Sequence, residues 1–444
     1  MPKAIVLAGT RSGCGKTSVA LGLMRALARR GLCVQPFKAG PDFIDPGLHT
    51  RAAGRPSPNL DTWMLPEDAL RAGFARSARG ADVVVVEGVM GLFDGRNGAG
   101  EAGSTAHLAK LLGLPVLLVV DAASQARSAA AVALGFARFD PDLRLAGVIL
   151  NRVASPRHEA ILREALASMP DAPLLGCLPK AEDLGLASRH LGLVTAEDSA
   201  DLDARLEALA DWVEQGLDIP ALLASLPDIS LPLPAPEPPP SLPRVRIGLA
   251  RDRAFCFVYA ENLRLLEAAG AEIVPFSPLS DAALPGSLDG LYLPGGYPEL
   301  VAAELAANAP MLASVRAFCA SNRPVWAECG GFMYLQRALV DANGAEHALC
   351  GVFPARAVMR PQRAALGYRE ARTLTPGPLG PAGTTLRGHE FHWSDFTPDE
   401  PLAPLYRARN SKGDSFDSGV VHGSVTASYI HLHFGSNPEA VKIS

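Results

Sequence analysis

KAIVLAGTRSGCGKTSVALGLMRALARR, Lys3 to Arg30, decides the fold of the first half of this chain. Lys3 to Ala8 is a short apolar run of strand length. From Thr17 to Arg30, Val19, Leu23 and Leu27 recur at i, i+4 and i+8, the spacing of one helix face. Between them lies GTRSGCGKT, residues 9 to 17. The usual phosphate-loop pattern is G-x4-G-K-[ST]. Gly15, Lys16 and Thr17 match it, and the first glycine, Gly9, lies one residue early. Strand before and helix after is the context that such a loop requires. Gly13 and Gly15 let backbone N–H groups turn inward around a polyphosphate, and the helix N-terminus adds partial positive charge. Lys16 reaches the β/γ-phosphates, and the Thr17 hydroxyl is a ligand for Mg²⁺.

The alternation continues outward from this stretch. Cys33 to Phe37, Asp82 to Val86, Pro115 to Val120, Leu145 to Leu150 and Pro173 to Leu178 are apolar runs separated by helix-like segments. Non-alternating strands between amphipathic helices imply a parallel sheet covered on both faces. Asp201 to Leu226 reads as one or two closing helices. Pro232 to Pro243 reads PLPAPEPPPSLP, a density of proline that supports neither helix nor central strand and suits an extended spacer. After it the pattern restarts: strands Val245 to Ala250, Glu272 to Phe276, Leu291 to Leu293 and Val325 to Ala327, with a helix from Cys256 to Ala269. Beyond about Gly351, glycine, proline and aromatic residues predict a mixed, partly antiparallel region. The expected organisation is two α/β domains, 1–228 and 244–444, joined by a linker at 229–243.

With 444 residues, 48 % hydrophobic and 20 % charged, the chain has material for large cores. Its 41 basic and 46 acidic side chains give a net charge of −5, against a nucleic-acid partner. The most apolar windows, Val83 to Val86 and Leu114 to Val120, are strand-length, short of the ~20 residues of a membrane helix. No signal-peptide pattern opens the sequence. Seven scattered cysteines without a CxxC pair suggest reduced thiols and a cytoplasmic location.

Two acidic clusters follow the phosphate loop. GPDFIDP carries Asp42 and Asp45, and VVVVEGVMGLFDG carries Glu87 and Asp94. An acid leaving the C-terminal edge of a parallel strand faces the ligand crevice of an open α/β sheet, so Glu87 is the residue expected to hold or orient Mg²⁺.

In the second half, PVWAECGGFMYL, residues 324 to 335, runs from an apolar strand through Glu328-Cys329-Gly330-Gly331 into a helix-like run. The small residues after Cys329 permit a nucleophile elbow, which would expose Sγ, bring the Gly330 N–H to a developing oxyanion and lower the thiol pKa at a helix N-terminus. LPGGYPEL, residues 293 to 300, offers Gly295 and Gly296, and the Gly296 N–H is the expected second oxyanion donor. A nucleophilic cysteine needs a base. SYIHLHF supplies His431 and His433, two apart and therefore on one strand face. RGHEFHWS adds His389, Glu390 and His392, a polar cluster without an assigned part.

Taken in order, GPDFIDP, EGVMGLFDG, GVILNRV, LPGGYPEL, AECGGFMYL, LGYRE, GHEFH and SYIHLHF closely resemble the cobyrinic acid a,c-diamide synthase family over nearly the whole chain. The first half is similar to dethiobiotin-synthetase-like phosphate-loop enzymes, which share the long GT-x4-GKT spacing. The second resembles a class I (triad) glutamine amidotransferase domain with a mixed sheet. The resemblance implies ATP- and glutamine-dependent amidation of the a and c acetate side chains of a corrinoid, a step of cobalamin biosynthesis, with ATP and Mg²⁺ as cofactors. It assigns nucleotide binding to Gly13, Gly15, Lys16, Thr17 and Asn151, the last to the adenine. It assigns Mg²⁺ to Thr17, Asp42 and Glu87, substrate activation to Asp45 and Asp94, the nucleophile to Cys329 and the base to His431. Triad amidotransferases usually have Glu two residues after the base, where this chain has His433. The implied partners are a tetrapyrrole polycarboxylate and glutamine, with no nucleic acid or membrane, and a homodimer is left open. Three alternatives stand beside this reading. One is the same amidation on hydrogenobyrinic acid or nickel-sirohydrochlorin, another is cobyric acid synthase, and the third is a phosphate-loop regulatory ATPase with an inactive second domain.

Overall fold

A computed structural model describes residues 1–98, 100–167, 169, 173–181, 184, 201–230 and 245–441. The chain divides into two compact units, Met1–Ala235 and Pro236–Ser444. The proline-rich stretch, residues 232–243, lies outside the described residues.

The first unit holds seven strands: β1 (Lys3–Gly9), β2 (Val34–Ala39), β3 (Asn59–Leu60), β4 (Val83–Glu87), β5 (Val116–Asp121), β6 (Leu145–Val153) and β7 (Leu174–Pro179). They form one sheet in the order β3-β2-β4-β1-β5-β6-β7. Every pairing is parallel. Five of the six expected strands have their limits within two residues of the reading. β3 is a two-residue edge strand too short to leave a pattern. β6 runs three residues beyond the expected Leu150, so Asn151 lies inside it, next to Arg152 at φ +62°. β1, β4 and β5 are buried along almost their whole length, which is why their interiors read as unbroken apolar runs, whereas β2 is wholly buried with Gln35 and Lys38 in it. Chain order reverses about β1, so the crevice where a doubly wound sheet takes its ligand opens at the C-terminal ends of β1 and its neighbours β4 and β5. The helix Lys16–Arg29 starts there and buries Val19, Leu23 and Leu27. The closing segment forms two helices, Leu202–Gly216 and Ile219–Ser225.

In the second unit, β8 (Val245–Ala250), β9 (Ala271–Phe276), β10 (Gly290–Leu293), β11 (Val325–Glu328), β15 (Ala365–Thr373), β16 (Thr385–His392), β18 (Ala403–Asn410), β19 (Ser415–His422), β20 (Val425–Ser428) and β21 (Ile430–His433) build one ten-stranded sheet. Its order is β21-β16-β15-β18-β19-β20-β11-β10-β8-β9. The β20-to-β9 part is parallel and the remainder antiparallel, the mixed sheet expected beyond Gly351. A separate four-stranded sheet, β12 (Gln336–Val340), β13 (Glu346–Ala348), β14 (Phe353–Met359) and β17 (Ser394–Pro398), left no separable signal in the sequence. The expected helix from Cys256 begins only at Ala260 and ends at Ala268. Its first four residues are held extended because the Phe257 N–H donates to Gly295 O at 3.0 Å.

Candidate active sites

In the first unit, Gly15 sits at φ +92° and caps the helix Lys16–Arg29 in a left-handed conformation open to glycine. A Cβ there would come 2.1 Å from Asn151 Nδ2. Asn151 Nδ2 donates to Cys14 O at 2.9 Å, so this buried side chain, expected at the adenine, braces the phosphate loop. The Arg152 guanidinium donates to Gly13 O at 2.9 Å and to Asp121 Oδ2 at 2.5 Å, where Arg11 also donates at 2.7 Å.

Glu87, at the end of β4, is fully buried and is the hub of the site. Its Oε1 accepts from Thr17 Oγ1 at 2.7 Å and from Lys38 Nζ at 3.1 Å, with Lys16 Nζ at 3.4 Å. Its Oε2 lies 2.6 Å from His49 Nε2, whose Nδ1 is 3.1 Å from Ser57 Oγ. A carboxylate only accepts, so His49 carries its proton on Nε2. Burial alone would push the Glu87 carboxyl up. The charges of Lys38 and Lys16 and the bond from His49 outweigh burial and hold it well below the usual carboxylate range. Lys38, also buried, donates to Asp45 Oδ2 at 2.5 Å. Against the cost of burial, the charges of Asp45, Glu87 and Asp42 keep its ammonium charged. Asp42 Oδ1 accepts from the N–H groups of Ile44 and Asp45 at 2.7 and 3.0 Å, turning the chain into the helix Ile44–Ala53. Asp94 is exposed, and its Oδ2 accepts from the Gly91 N–H at 2.9 Å within the EGVMGLFDG turn.

Among the described residues, no three His, Cys, Asp or Glu side chains converge as a complete metal cage. The Thr17 hydroxyl and the Glu87 and Asp42 carboxylates are hard oxygen donors. They fit Mg²⁺, which takes one or two protein carboxylates and completes its shell with phosphate oxygens and water.

In the second unit, Cys329 stands between β11 and the six-residue helix Gly330–Leu335 at φ +45°, left-handed backbone for a residue with a Cβ. This is the strained turn expected of an elbow. Two parts of the expectation are corrected. Sγ is buried, not exposed, with Cys329 at 5 % of its free surface and the Phe391 carbonyl 3.9 Å away. Its thiol is pushed well up, first by burial and then by the charges of Glu299, Glu390 and Glu328; the Gly330 N–H pulls the other way and loses. The short helix does not lower it.

The LPGGYPEL loop meets both partners of the thiol. A Cβ on Gly330 would come 3.0 Å from Gly296 N, which sets the two expected oxyanion donors side by side. A Cβ on Gly295 would come 2.2 Å from His431 Cε1, so only glycine lets this ring approach the loop. His431 and His433 are both fully buried. They share a face, as alternation requires, yet meet different neighbours. His431 Nδ1 lies 4.0 Å from Glu328 Oε2. Burial, and then the neighbouring His389 and His392, lower His431 to about 3, so its imidazole is neutral at working pH. The His433 ring lies 4.7 Å from that of Tyr259, and its Nδ1 accepts from the Gly435 N–H at 3.2 Å. His431→Ala is therefore expected to lower glutaminase turnover by ~10²–10⁴-fold, the usual worth of a general base. His433→Ala is expected to stay within about tenfold of the parent, since its ring packs and caps a turn. Comparing the two single variants checks the assignment.

Two domain families match this chain. Residues 5–194 match the CobQ/CobB/MinD/ParA nucleotide binding domain, and residues 246–439 the CobB/CobQ-like glutamine amidotransferase domain. The chain is 48 % identical to the cobyrinate a,c-diamide synthase of Syntrophotalea carbinolica, across 99 % of this chain and 97 % of that one. It is also 48 % identical to the hydrogenobyrinate a,c-diamide synthase of Rhodobacter capsulatus, across 98 % and 99 %. Identity to the Salmonella typhimurium cobyrinate a,c-diamide synthase is 45 %, across 99 % and 96 %. The chain belongs to the a,c-diamide synthase family.

In this family member the sequence reading passed over four buried groups. Lys38 is the penultimate residue of a wholly buried strand, two residues before Gly40-Pro41-Asp42, and a lysine in that position was a legible signal. His49 stands one helical turn beyond Asp45, a weak signal at most. Glu328, a charge inside an apolar strand one residue before the nucleophile, was visible and unassigned. Arg369 Nε donates to Glu390 Oε2 at 2.6 Å, and His392 Nε2 lies 3.1 Å from Glu390 Oε1. Bonds and charges from His392 and Arg369 overcome burial and keep Glu390 ionised. The GHEFH and LGYRE motifs thus meet as one buried polar network beside the thiol. Among the described residues no helix is long and apolar enough to cross a membrane.

Proposed function

We propose that this chain is an ATP-dependent ligase that amidates the a and c acetate carboxylates of cobyrinic acid or its metal-free counterpart, hydrogenobyrinic acid, with nitrogen from glutamine. The observation that carries this reading is the pairing, in one chain, of a phosphate loop whose lysine meets a buried Glu87 with a strained cysteine elbow and a neutral histidine that both lie against the Gly295-Gly296 loop. Residues 1–228 would be the amidoligase, 229–243 the linker and 244–444 the glutaminase.

The chemistry follows from the parts. A carboxylate is a poor electrophile. Transfer of the γ-phosphoryl group of ATP to the substrate oxygen gives an acyl phosphate and ADP, with Lys16 and Lys38 placed to neutralise charge on the moving group. Mg²⁺, held by Thr17, Asp42 and Glu87, would supply further neutralisation of the phosphate oxygens. Asp45, paired with Lys38 in the first turn of the helix Ile44–Ala53, and Asp94 would act on the substrate carboxylate, and Asn151 would meet the nucleotide through the loop that it braces. In the second unit His431 takes the Cys329 proton, and the sulfur attacks the side-chain amide carbon of glutamine. The Gly296 and Gly330 N–H groups receive the oxyanion. Ammonia leaves, and water then hydrolyses the thioester to glutamate. Ammonia displaces phosphate from the acyl phosphate to give the amide.

Purified protein incubated with ATP, Mg²⁺ and glutamine should add two amides to cobyrinic or hydrogenobyrinic acid, read by product mass. Amides on side chains other than a and c would point to cobyric acid synthase instead. ATP hydrolysis with no amidated product would point to the regulatory ATPase.

Glu87→Gln keeps the shape of the hub and removes its charge, leaving Lys16 and Lys38 without their shared anion. Synthesis is expected to fall by ~10²-fold or more with either nitrogen source, with partial recovery at high Mg²⁺. A Mg²⁺ titration of initial rates checks this.

A further inference from the structure

Glu328 is fully buried one residue before the nucleophile, and the fold surrounds it with neutral donors. Its Oε1 accepts from Trp326 Nε1 at 3.1 Å and from the Leu432 N–H at 3.0 Å. Its Oε2 accepts from Tyr292 Oη at 3.0 Å. A glutamine could accept the two bonds at Oε1 and donate its amide N–H to Tyr292 Oη, without the several kcal/mol that burying a carboxylate costs. Among the described residues, the one basic side chain within ion-pair range of Glu328 is His431, with 4.0 Å between Oε2 and Nδ1. The Leu432 N–H that grips Glu328 belongs to the residue after His431, so the same contact fixes the strand bearing the base. His433, where triad amidotransferases usually have their acid, is engaged with Tyr259 and Gly435.

We propose that Glu328 is the positioning carboxylate of the glutaminase site, orienting His431 through Nδ1 and stabilising its protonated form. The proposal rests on the Cys329–His431 reading above. The Sγ–H bond breaks, the proton goes to His431 Nε2, and the electron pair stays on sulfur to attack the amide carbon. His431 then passes that proton to the departing nitrogen, which leaves as ammonia. Glu328 gives up no proton in this sequence. A separation of 4.0 Å is within ion-pair range, and catalytic contacts of this length commonly tighten in the substrate complex.

Burial pushes the Glu328 carboxyl up to about 7, against the bonds from Leu432, Trp326 and Tyr292. Tyr292, Tyr406 and Cys329 face Glu328, while His389 and His392 face His431 and Glu299 and Glu390 face the thiol. Only the ionised carboxylate stabilises an imidazolium. Glutaminase activity should therefore rise with pH through the Glu328 ionisation.

The test is Glu328→Gln, with glutaminase kinetics against pH and the iodoacetamide alkylation rate of Cys329 read by mass. Support would be a kcat lowered on the order of 10²-fold with KM nearly unchanged, a lost acid limb, and slower alkylation at neutral pH. Ammonia-driven amidation should persist. Tyr292→Phe is the second variant: it removes a bond that favours the ionised carboxylate, so the acid limb should move to higher pH while the plateau rate holds. Parental kcat and acid limb in Glu328→Gln would overturn the proposal. So would equal loss of ammonia-driven synthesis together with a lowered melting temperature, which would leave Glu328 as a packing hub only. Failure of the underlying reading looks different, because Cys329→Ala would then keep glutamine use whatever Glu328 does, and the proposal would fall with it.

Discussion

Cys329→Ala is expected to lose glutamine-dependent amidation on the order of 10⁴-fold or more while keeping amidation driven by high ammonium at raised pH. Covalent catalysis has no substitute once the sulfur is gone, and removing such a nucleophile typically costs several orders of magnitude. Ammonia supplied from solution makes the nucleophile unnecessary, and raised pH enlarges the unprotonated fraction that can attack. The substitution removes one buried sulfur, and alanine tolerates φ +45° no worse than cysteine does, so the elbow should persist. Initial rates with each nitrogen source, beside a melting curve, make the measurement. Glutamine use that survives the change would demote Cys329 to a core thiol. Ammonia use that dies with it in a folded protein would place the residue in the synthetase chemistry.

Lys16→Ala is expected to abolish synthesis with either nitrogen source, by on the order of 10³-fold or more, the range lost when a cation is withdrawn from a transferring phosphoryl group. Its Nζ is the longer of the two lysine contacts to Glu87, 3.4 Å against 3.1 Å for Lys38. Lys38, Thr17 and His49 still hold the carboxylate when Lys16 is cut back, so the core should survive. Glutaminase turnover, read separately as glutamate release, should persist. ADP binding by calorimetry should weaken in parallel with synthesis. Near-normal ATP-dependent amidation in this variant would remove the phosphate-loop assignment.

The sequence alone carried the local elements. A parallel strand buried on both faces favours apolar residues at successive positions, so the run Val83 to Val86 marks β4 without reference to any contact. Gly15-Lys16-Thr17 could be read because a phosphate loop is one turn between one strand and one helix. The Cys329 elbow is likewise contained in a dozen residues. These features repeat at short spacing, and short spacing is what a single chain displays.

The electrostatics of both sites came only from the fold. Lys38 and His49 reach Glu87 from residues 49 and 38 positions earlier, because β2 and β4 are neighbours in the sheet and not in the chain. The thiol of Cys329 is raised, against the sequence expectation, because burial and the carboxylates of Glu299, Glu390 and the adjacent Glu328 outweigh one short helix. His431 meets Glu328 across 103 residues, brought there by edge strand β21 returning over the end of β11. A charge in a low-dielectric interior responds to everything within a few ångströms, and sequence spacing holds no record of which distant strands converge there. The sequence thus determined which groups could act. The tertiary structure decided which of them are charged, and which histidine faces an acid.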